Sequence, residues 1–380
     1  MTVTQVAELV NTATQEALGE SAVATEDLSN VVDVGRAIID ANAVDNYVKA
    51  LVNRIGKVKF WDRPYASIAP NVLMDSWRFG SVMQKIRTVL PEATNSLMWD
   101  LQDNTDYSPN VFHQPVVRNK FFNGRDAYHI ELSVTDEQVR DSFTSASQVM
   151  ALIAMIMNHR QNSIIIKNDA LIMRTIATAA INAFNHGSGT AYNLLAMYNT
   201  DFTPTLSVAD ALHSRDFLAY AVYQIGLITD LMRPYQTLHN SGGIATFTPR
   251  ERLKMVMLSD FVRSCGVYLH DAPSQFNIDN IKLPDAQIVP FWQGQGTTGG
   301  FTDRAKIVAS HTAVNSGANV TVPNLLAIAF DEEALGVANF NETVTSNYNP
   351  RAHFTNYFSD MWGHYFVDFD EQCVVFYLAE

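Results

Sequence analysis

Between Arg125 and His186 the chain contains neither glycine nor proline. Those residues most often end regular structure, proline because it lacks an N–H and glycine because ordering it costs the most backbone entropy. Their absence over so long a stretch permits one oversized element. Ser145-Ala-Ser-Gln148 reads as a capping box, a hydroxyl for a free backbone N–H followed three residues later by a glutamine. Apolar residues then recur at helical spacing through Val149, Ile153, Met157, Ile164, Leu171, Ile172, Ile176 and Ile181. The pattern predicts a single helix from Ser145 to Phe184, ended by the glycine-rich run Asn185 to Thr190. At 1.5 Å per residue such a helix is roughly 60 Å long, against a mean of about 11–12 residues for globular helices. A compact core needs no rod of that length. It suits a subunit built as a plate or strut, with surfaces completed by neighbouring copies.

Charge is distributed in the same sense. The net charge is −13 over 380 residues, which argues against a protein that coats nucleic acid, since duplex binding requires clustered Lys and Arg. Residues 1–50 carry two basic and eight acidic side chains, residues 51–130 ten basic and seven acidic, and residues 331–380 one basic and nine acidic. A basic stretch between acidic ends predicts head-to-tail contact between copies, because opposite potentials orient association.

Residues 1–55 read as an amphipathic, mostly helical arm that buries little against itself. Leu9, Val10, Ala13 and Leu18 recur at helical intervals, Gly19 and Ser21 break the run, and Val34, Ile38 and Ile39 lead to a second segment from Val44 to Ile55. Val58 and Phe60 alternate like a strand. From Trp77 to Tyr128 the pattern is polar and aromatic, Asn123-Gly124 signals a hairpin turn, and His129 to Ser133 alternate as a return strand. This predicts a long two-stranded excursion. A lone hairpin is marginally stable in water, so the excursion is expected to lie on another subunit.

Thr135-Asp-Glu-Gln138 is a second capping box before the long helix, and Ser207 to Leu231 reads as a further capped helix closed by Pro234. Residues 236–322 alternate short strand-like runs with turns and read as a separate α/β domain. Asp331-Glu-Glu333 reads as the first turn of a helix, where acids favour the dipole. Asp368, Asp370 and Glu371 mark a tight hairpin between Tyr365-Phe366 and Cys373 to Tyr377.

No catalytic constellation survives inspection. Gly294-Gln-Gly-Thr-Thr-Gly299 matches the dinucleotide fingerprint literally. Pro290 and Trp292 separate it from any preceding strand, Phe301 to Ala309 reads better as a strand than as a helix, and no acid lies between Asp303 and Asp331 to hold a ribose. The ten histidines show no metal spacing, and His353 and His364, set among aromatics, read as packing residues. Cys265 and Cys373 are far apart and predict reduced thiols. No cofactor, metal or catalytic residue is expected. There is no secretory signal pattern, and the longest apolar run, Val149 to Met157, is too short to cross a bilayer, so a soluble protein made in the cytoplasm is expected.

Three segments carry a family resemblance: Leu51-Val-Asn-Arg-Ile-Gly56, then Tyr128-His-Ile-Glu-Leu-Ser-Val-Thr-Asp-Glu-Gln-Val-Arg-Asp-Ser-Phe-Thr144, then Asn349-Pro-Arg-Ala-His-Phe-Thr-Asn-Tyr-Phe358. In this order and spacing they resemble the major capsid proteins of tailed bacteriophages, especially a short-tailed branch. The resemblance spans roughly residues 45–185 and 325–378 and leaves the middle unmatched. It implies an α+β chain with the Hong-Kong-ninety-seven-type capsid fold: an N-terminal arm at 1–57, an extended β-hairpin (E-loop) at 72–130, a peripheral domain at 58–71, 131–235 and 325–380 with a spine helix at 145–185, and an axial α/β domain at 236–324.

The function implied is a major capsid protein, a non-enzymatic shell subunit that self-assembles as hexamers and pentamers of an icosahedral head. The head would enclose double-stranded DNA without sequence-specific binding, with portal, scaffolding or decoration proteins as further partners and no membrane. Its place would be the virion, after assembly in the host cytoplasm. On the E-loop side Trp77, Arg78, Phe79, Lys85, Arg87, Trp99, Arg118, Lys120 and Arg125 are expected to meet the next copy. Asp360, Asp368, Asp370 and Glu371 are expected as the acidic acceptors. One member of the fold cross-links a lysine to an asparagine; here the only E-loop lysines are Lys85 and Lys120, no local motif marks an asparagine, and no cross-link is expected. No basic coiled-coil leader precedes the arm, so no cleaved scaffolding segment is expected. The alternatives are an encapsulin-like nanocompartment shell and, in a different class, a nucleotide-binding enzyme using the Gly294–Gly299 loop.

Overall fold

The computed structural model describes residues 3–380 except 19–23, 26–27, 42–45, 48–49, 51–68, 75–81, 92, 94, 108–109, 111, 143–145, 270–284, 294–299 and 311–318. In chain order the elements begin with helices α1 (Val3–Leu18) and α2 (Val31–Asp40), then strands β1 (Met83–Thr88), β2 (Val117–Phe122) and β3 (Gly124–Thr135). Helices α3 (Asp136–Ser142) and α4 (Ala146–His186) follow, then β4 (Ala191–Asn193), α5 (Leu194–Asp201), α6 (Val208–Ala211) and α7 (Arg215–Leu231). The chain continues through β5 (Leu253–Leu258), α8 (Ser259–Leu269), β6 (Asp285–Val289), α9 (Phe301–Arg304), β7 (Ile307–Ser310) and β8 (Asn319–Val322). It ends with β9 (Leu325–Asp331), β10 (Leu335–Asn349), β11 (Phe354–Val367) and β12 (Cys373–Tyr377).

The predicted long helix is α4, a single helix of 41 residues. The hydroxyls of Thr175 and Thr178 fold back on the carbonyls of Leu171 and Arg174, at 2.8 and 2.9 Å, so two polar residues sit in the rod without an unmet donor. Its exit is as the sequence predicts: Gly187 and Gly189 have φ of +76° and +77°, a region that favours glycine. At the other end Ser145 lies outside the described residues. The preceding capping box does form, with Gln138 N–H donating to Thr135 Oγ1 at 3.3 Å and Thr135 N–H to Gln138 Oε1 at 3.2 Å.

The C-terminal half of α4 lies on a five-stranded sheet of order β4-β12-β9-β5-β6. Val256, Leu258, Ile328, Phe330 and Val375 face the rod and meet Ile172, Ile176, Ala180 and Ala183. Alternate residues Met255, Met257, Ala327, Ala329, Val374 and Phe376 face α5, α7 and α8 through Leu195, Phe217, Leu218, Ile225 and Phe261. Every residue of β9 is therefore buried, which explains its unbroken apolar run. The expected separate domain at 236–324 is drawn differently here. β5 and β6 belong to the same sheet as β9 and β12, so a boundary at 324/325 would pass through hydrogen-bonded neighbours. A sheet joins strands remote in sequence, and no local pattern records that joining.

The second sheet is long and narrow, of order β10-β11-β3, all antiparallel. It also touches α4. Gly363 of β11 lies so close that a Cβ there would stand 2.7 Å from Leu171 Cδ2. Tyr128 Oη donates to Asn168 Oδ1 on the rod at 3.1 Å.

Other expectations change. Asp331 to Glu333 are not a helix start but the turn from β9 into β10, a 15-residue strand. Its polar exposed residues hid it. The 368–371 segment is not a hairpin, because β11 pairs with β10 and β3 whereas β12 pairs with β9 and β4. It is the crossover between the two sheets. Asn123-Gly124 is likewise no hairpin turn. β2 runs on into β3 across it, and Gly124 is required because a Cβ would strike the Tyr365 carbonyl oxygen. The 207–231 segment is two helices, each capped by a serine, Ser207 and Ser214. Phe301 opens a four-residue helix before the strand from Ile307. His364 is buried as expected, but His353 is exposed, at φ +49° in the β10–β11 turn, where its Nδ1 lies 3.1 Å from Tyr348 Oη.

The arm also differs. α1 and α2 pack together through Ala7, Val10, Ala13, Val31, Val34 and Ile38, and the patch reaches Val134 and Tyr357 on the long sheet. Small alanines on α1 permit that approach, so the arm does bury surface against itself. The expected helix from Val44 to Ile55 falls largely, and the strand at Val58–Phe60 wholly, outside the described residues.

Candidate functional site

The excursion closes as β1 against β2, in register from Met83 opposite Phe122 to Thr88 opposite Val117. The chain between them, 89–116, carries large apolar side chains in the open. Trp99 is 90% exposed and Phe112 83%, with Leu90, Met98 and Leu101 also exposed. On the outer face of the ladder Ile86, Val117 and Phe121 are exposed as well. A soluble monomer rarely leaves so much apolar surface contiguous with one element.

The inner face of the ladder is different. Period-two alternation places Met83, Lys85 and Arg87 on one side of β1, and Lys120 and Phe122 on the matching side of β2. Phe122 packs on Phe366 of β11 with ring centroids 5.3 Å apart, in a small apolar patch with Met74, Met83 and Ala338. Beside that patch the cations reach the crossover. Lys85 Nζ lies 2.6 Å from Glu371 Oε1, 2.9 Å from Asp368 Oδ2 and 3.4 Å from Glu333 Oε2. Arg87 Nη1 lies 3.0 Å from Glu371 Oε1, and Lys120 Nζ lies 3.0 Å from Asp368 Oδ1 and also pairs with Asp370. The carboxylate side chains of Asp368 and Glu371 are only 2% and 5% exposed.

The acids are held in place from behind. Asp368 N–H donates to the Ala334 carbonyl at 2.6 Å, and Asp370 N–H to Asp368 Oδ1 at 3.1 Å. Gly242 N–H donates to the Phe369 carbonyl at 2.8 Å, and Cys373 N–H to the His239 carbonyl at 2.9 Å. Gly242 has no room for a side chain, since a Cβ would strike Asp370. Ser241 in that same loop accepts from Asn182 of α4 at 2.5 Å. The crossover is thus wedged between the rod and the excursion.

Electrostatics follow from burial and contact. Burial resists ionisation of Asp368, but Lys85 and Lys120 outweigh it and hold the carboxyl below its ordinary value. Burial likewise opposes charge on Lys85, yet Glu371 and Asp368 lift it above the usual lysine value. Burial raises Asp331, and the neighbouring charges of Glu371 and Glu333 push the same way. Burial pushes both thiols, Cys265 and Cys373, up to about 12, so neither is a ready nucleophile. Among the described residues no group of three or more His, Cys, Asp or Glu is arranged to hold a metal, and no helix is long and apolar enough to cross a membrane. The Gly294–Gly299 loop lies outside the described residues.

The site residues expected from sequence divide into three groups. Lys85, Arg87, Lys120, Asp368, Asp370 and Glu371 are brought together, but within one chain. Trp99, Arg118, Arg125 and Asp360 are exposed and stand outside that cluster, Asp360 in mid-strand opposite His129 and Thr343. Trp77, Arg78 and Phe79 lie outside the described residues. Sequence reasoning missed Glu333, which binds both Lys85 and Arg252, the latter at 2.7 Å. It also missed the Phe122–Phe366 contact. The signal available was the period-two placement of Met83, Lys85 and Arg87.

A rod-like helix across two sheets, an arm, and an apolar-tipped excursion together define the class. A chain from the capsid structure of Staphylococcus phage Andhra superposes with a TM-score of 0.54 at 10% identity, over 85% of this chain and 88% of that chain. A chain from the structure of head fiber and inner core protein gp22 of native bacteriophage P68 superposes with a TM-score of 0.50 at 8% identity, over 84% and 87%. The fold is the Hong-Kong-ninety-seven-type capsid fold. No curated protein matches the sequence. The model of the Phi29-like phage major capsid protein family matches residues 10–377, and the chain belongs to that family. It is a structural subunit of a phage capsid shell, not an enzyme, and neither the encapsulin-like nor the nucleotide-binding reading is supported.

Proposed function

We propose that the protein assembles as hexamers and pentamers of an icosahedral head enclosing double-stranded DNA. The 72–130 excursion would act as the E-loop, lying across the next copy. The observation that carries this reading is the apolar tip: Trp99 and Phe112 are almost fully exposed in the single chain. Burying two such aromatic side chains against a neighbour gives about 3–6 kcal/mol per contact. Exposed ion pairs contribute only about 0–1 kcal/mol each, so they set register more than strength.

Of the residues assigned to the contact between copies, Trp99, Arg118, Arg125 and Asp360 keep that role. Trp77, Arg78 and Phe79 are assigned with them from sequence. Lys85, Arg87, Lys120, Asp368, Asp370 and Glu371 support the contact indirectly, by holding the excursion's root. The segments 1–57, 58–71 with 131–235 and 325–380, and 236–324 are proposed as arm, peripheral and axial regions. The five-stranded sheet favours placing β9 and β12 with the axial region. The net negative charge would keep packaged DNA from adhering to the wall. Portal, scaffolding or decoration proteins complete the proposed partners, and assembly would take place in the host cytoplasm. Negative-stain microscopy of purified protein tests the proposal. Closed shells or rings of five and six are expected, and a uniformly monomeric protein at high concentration overturns it.

A further inference from the structure

The β1–β2 ladder touches the body through two small features side by side, the Phe122–Phe366 patch and the ion cluster, before the chain passes into β3 of the long sheet. The cluster is unusual in its order. Three of its cations, Lys85, Arg87 and Lys120, belong to the two-stranded ladder and lie on its inner face. The acids belong to a crossover that is itself hydrogen-bonded to the β9–β10 turn, to the 239–242 loop and, through Ser241, to α4. Asp368, Asp370 and Glu371 together offer acceptors to Lys85, Arg87 and Lys120, and none of those pairs involves Arg118, the ladder's fourth cation. By contrast, no ion pair is formed by the chain described between Val89 and Val116. The last backbone contact of the ladder is Val89 N–H to the Val116 carbonyl at 2.9 Å.

We infer that Lys85, Arg87 and Lys120, seated on Asp368, Asp370, Glu371 and Glu333, form a clasp that fixes the root of the excursion to its own chain, so that bending is confined to residues beyond Thr88 and before Val117. Removing one member of a buried pair leaves a desolvated charge without compensation, which is far costlier than never having the pair. The root therefore resists being lifted, while the tip has only exposed contacts to lose. The consequence is a division of labour within one hairpin: a fixed base that sets direction and a compliant tip that fits the neighbour. The clasp belongs to a single chain and does not depend on the shell reading.

The test is amide hydrogen exchange on the full-length chain kept unassembled, read by mass spectrometry over 83–88, 117–122 and 97–107. In the unaltered chain β1 and β2 are expected to exchange at least tenfold more slowly than 97–107. Lys85→Met with Lys120→Met should close that gap while peptides over β5 and β9 stay protected. Adding Asp368→Asn and Glu371→Gln should then restore at least half of the lost protection, since the uncompensated charges are gone. Equal exchange of strands and tip in the unaltered chain overturns the clasp. So does unchanged protection in the double lysine variant, or failure of the acid substitutions to restore it. If the double variant loses protection over β5 and β9 as well, Lys120→Gln alone is judged by the same criteria. Shell formation is scored separately by microscopy, so either idea can fail without the other.

Discussion

Lys85 and Lys120 stand directly opposite each other in the β1–β2 ladder, and both ammonium groups bind the one carboxylate of Asp368. Like charges facing across a strand pair are destabilising on their own. Here Asp368 converts the repulsion into a three-body contact, with Glu371 and Asp370 taking the remaining donors. Arg87 and Arg118 repeat the arrangement two residues on, but among the described residues only Arg87 reaches an acid. The ladder is therefore stable where the crossover lies beneath it, and it stops one pair later, at Thr88 opposite Val117.

Asp368→Asn should destabilise the chain by on the order of 3 kcal/mol near neutral pH, because two lysines lose a buried counter-charge. The pH dependence has a definite sign. The folded carboxyl titrates below its ordinary 3.8, so its contribution is full above that value and is lost as pH falls through the lower folded value. Lys85 is lifted above 10.5, so its share is full below that and is lost only as pH rises further. The facing groups are Arg87, Lys120, Glu333, Asp370 and Glu371. Denaturant unfolding of both proteins should show a difference that is flat from pH 5 to 9 and narrows below about 3.8. A difference already vanishing at pH 6 would contradict it.

Gly363→Ala should cost about 1–3 kcal/mol, because the added methyl would meet Leu171 Cδ2 at 2.7 Å where the long sheet crosses α4. The obstacle is the end of one side chain. Leu171→Ala alone costs about 2–5 kcal/mol by opening a cavity. Combined with Gly363→Ala it should cost at least 1 kcal/mol less than the two separate losses. A double-mutant cycle on thermal unfolding reads that coupling, and additive losses would show that the two residues do not meet.

How much of this was legible in the sequence depends on range. The 41-residue rod was legible because glycine and proline vanish over its span and because helical periodicity is a local signal. The capping box at Thr135 and the serine at 207 were legible for the same reason. Asn123-Gly124 misled because the dipeptide that favours a tight turn is here selected by a neighbour, the Tyr365 carbonyl, which leaves no room for a side chain. The acids at 368–371 looked like a turn and are a crossing between sheets. Their polarity is matched by cations more than 240 residues away, a separation no window of sequence reveals. The charge tally set the basic excursion against acids of the next copy, whereas Lys85, Arg87 and Lys120 meet Asp368, Asp370 and Glu371 of their own chain, and no charge count tells one chain from two.

Asn193→Ala should loosen the C-terminal end. Asn193 Oδ1 accepts from Ala196 N–H at 3.2 Å, capping α5, and also from Ala379 N–H at 3.1 Å, while its Nδ2 donates to the Ala379 carbonyl at 2.8 Å. Loss of the cap costs about 0.5–2 kcal/mol. Loss of the clip should also let Ala379 exchange faster. Asn193→Asp keeps both acceptor roles but sets its second oxygen against the Ala379 carbonyl, so it should recover the cap's share of the stability and not the clip's. Equal loss in the two variants would show that the cap is not the source.

Trp99→Ser separates folding from assembly. Its side chain is 90% exposed and sits on the far part of the excursion, so the unfolding midpoint of the unassembled chain should change by less than about 0.5 kcal/mol equivalent. If the tip is an anchor on the next copy, the same substitution should raise the protein concentration needed for shell formation at least tenfold, the effect of losing about 1.4 kcal/mol per contact. Light scattering during assembly reads that threshold. Trp99→Phe retains most of the buried area and should restore it. An unchanged threshold in Trp99→Ser, with folding intact, would move the anchor elsewhere, to Phe112 or to the outer ladder face at Ile86 and Phe121.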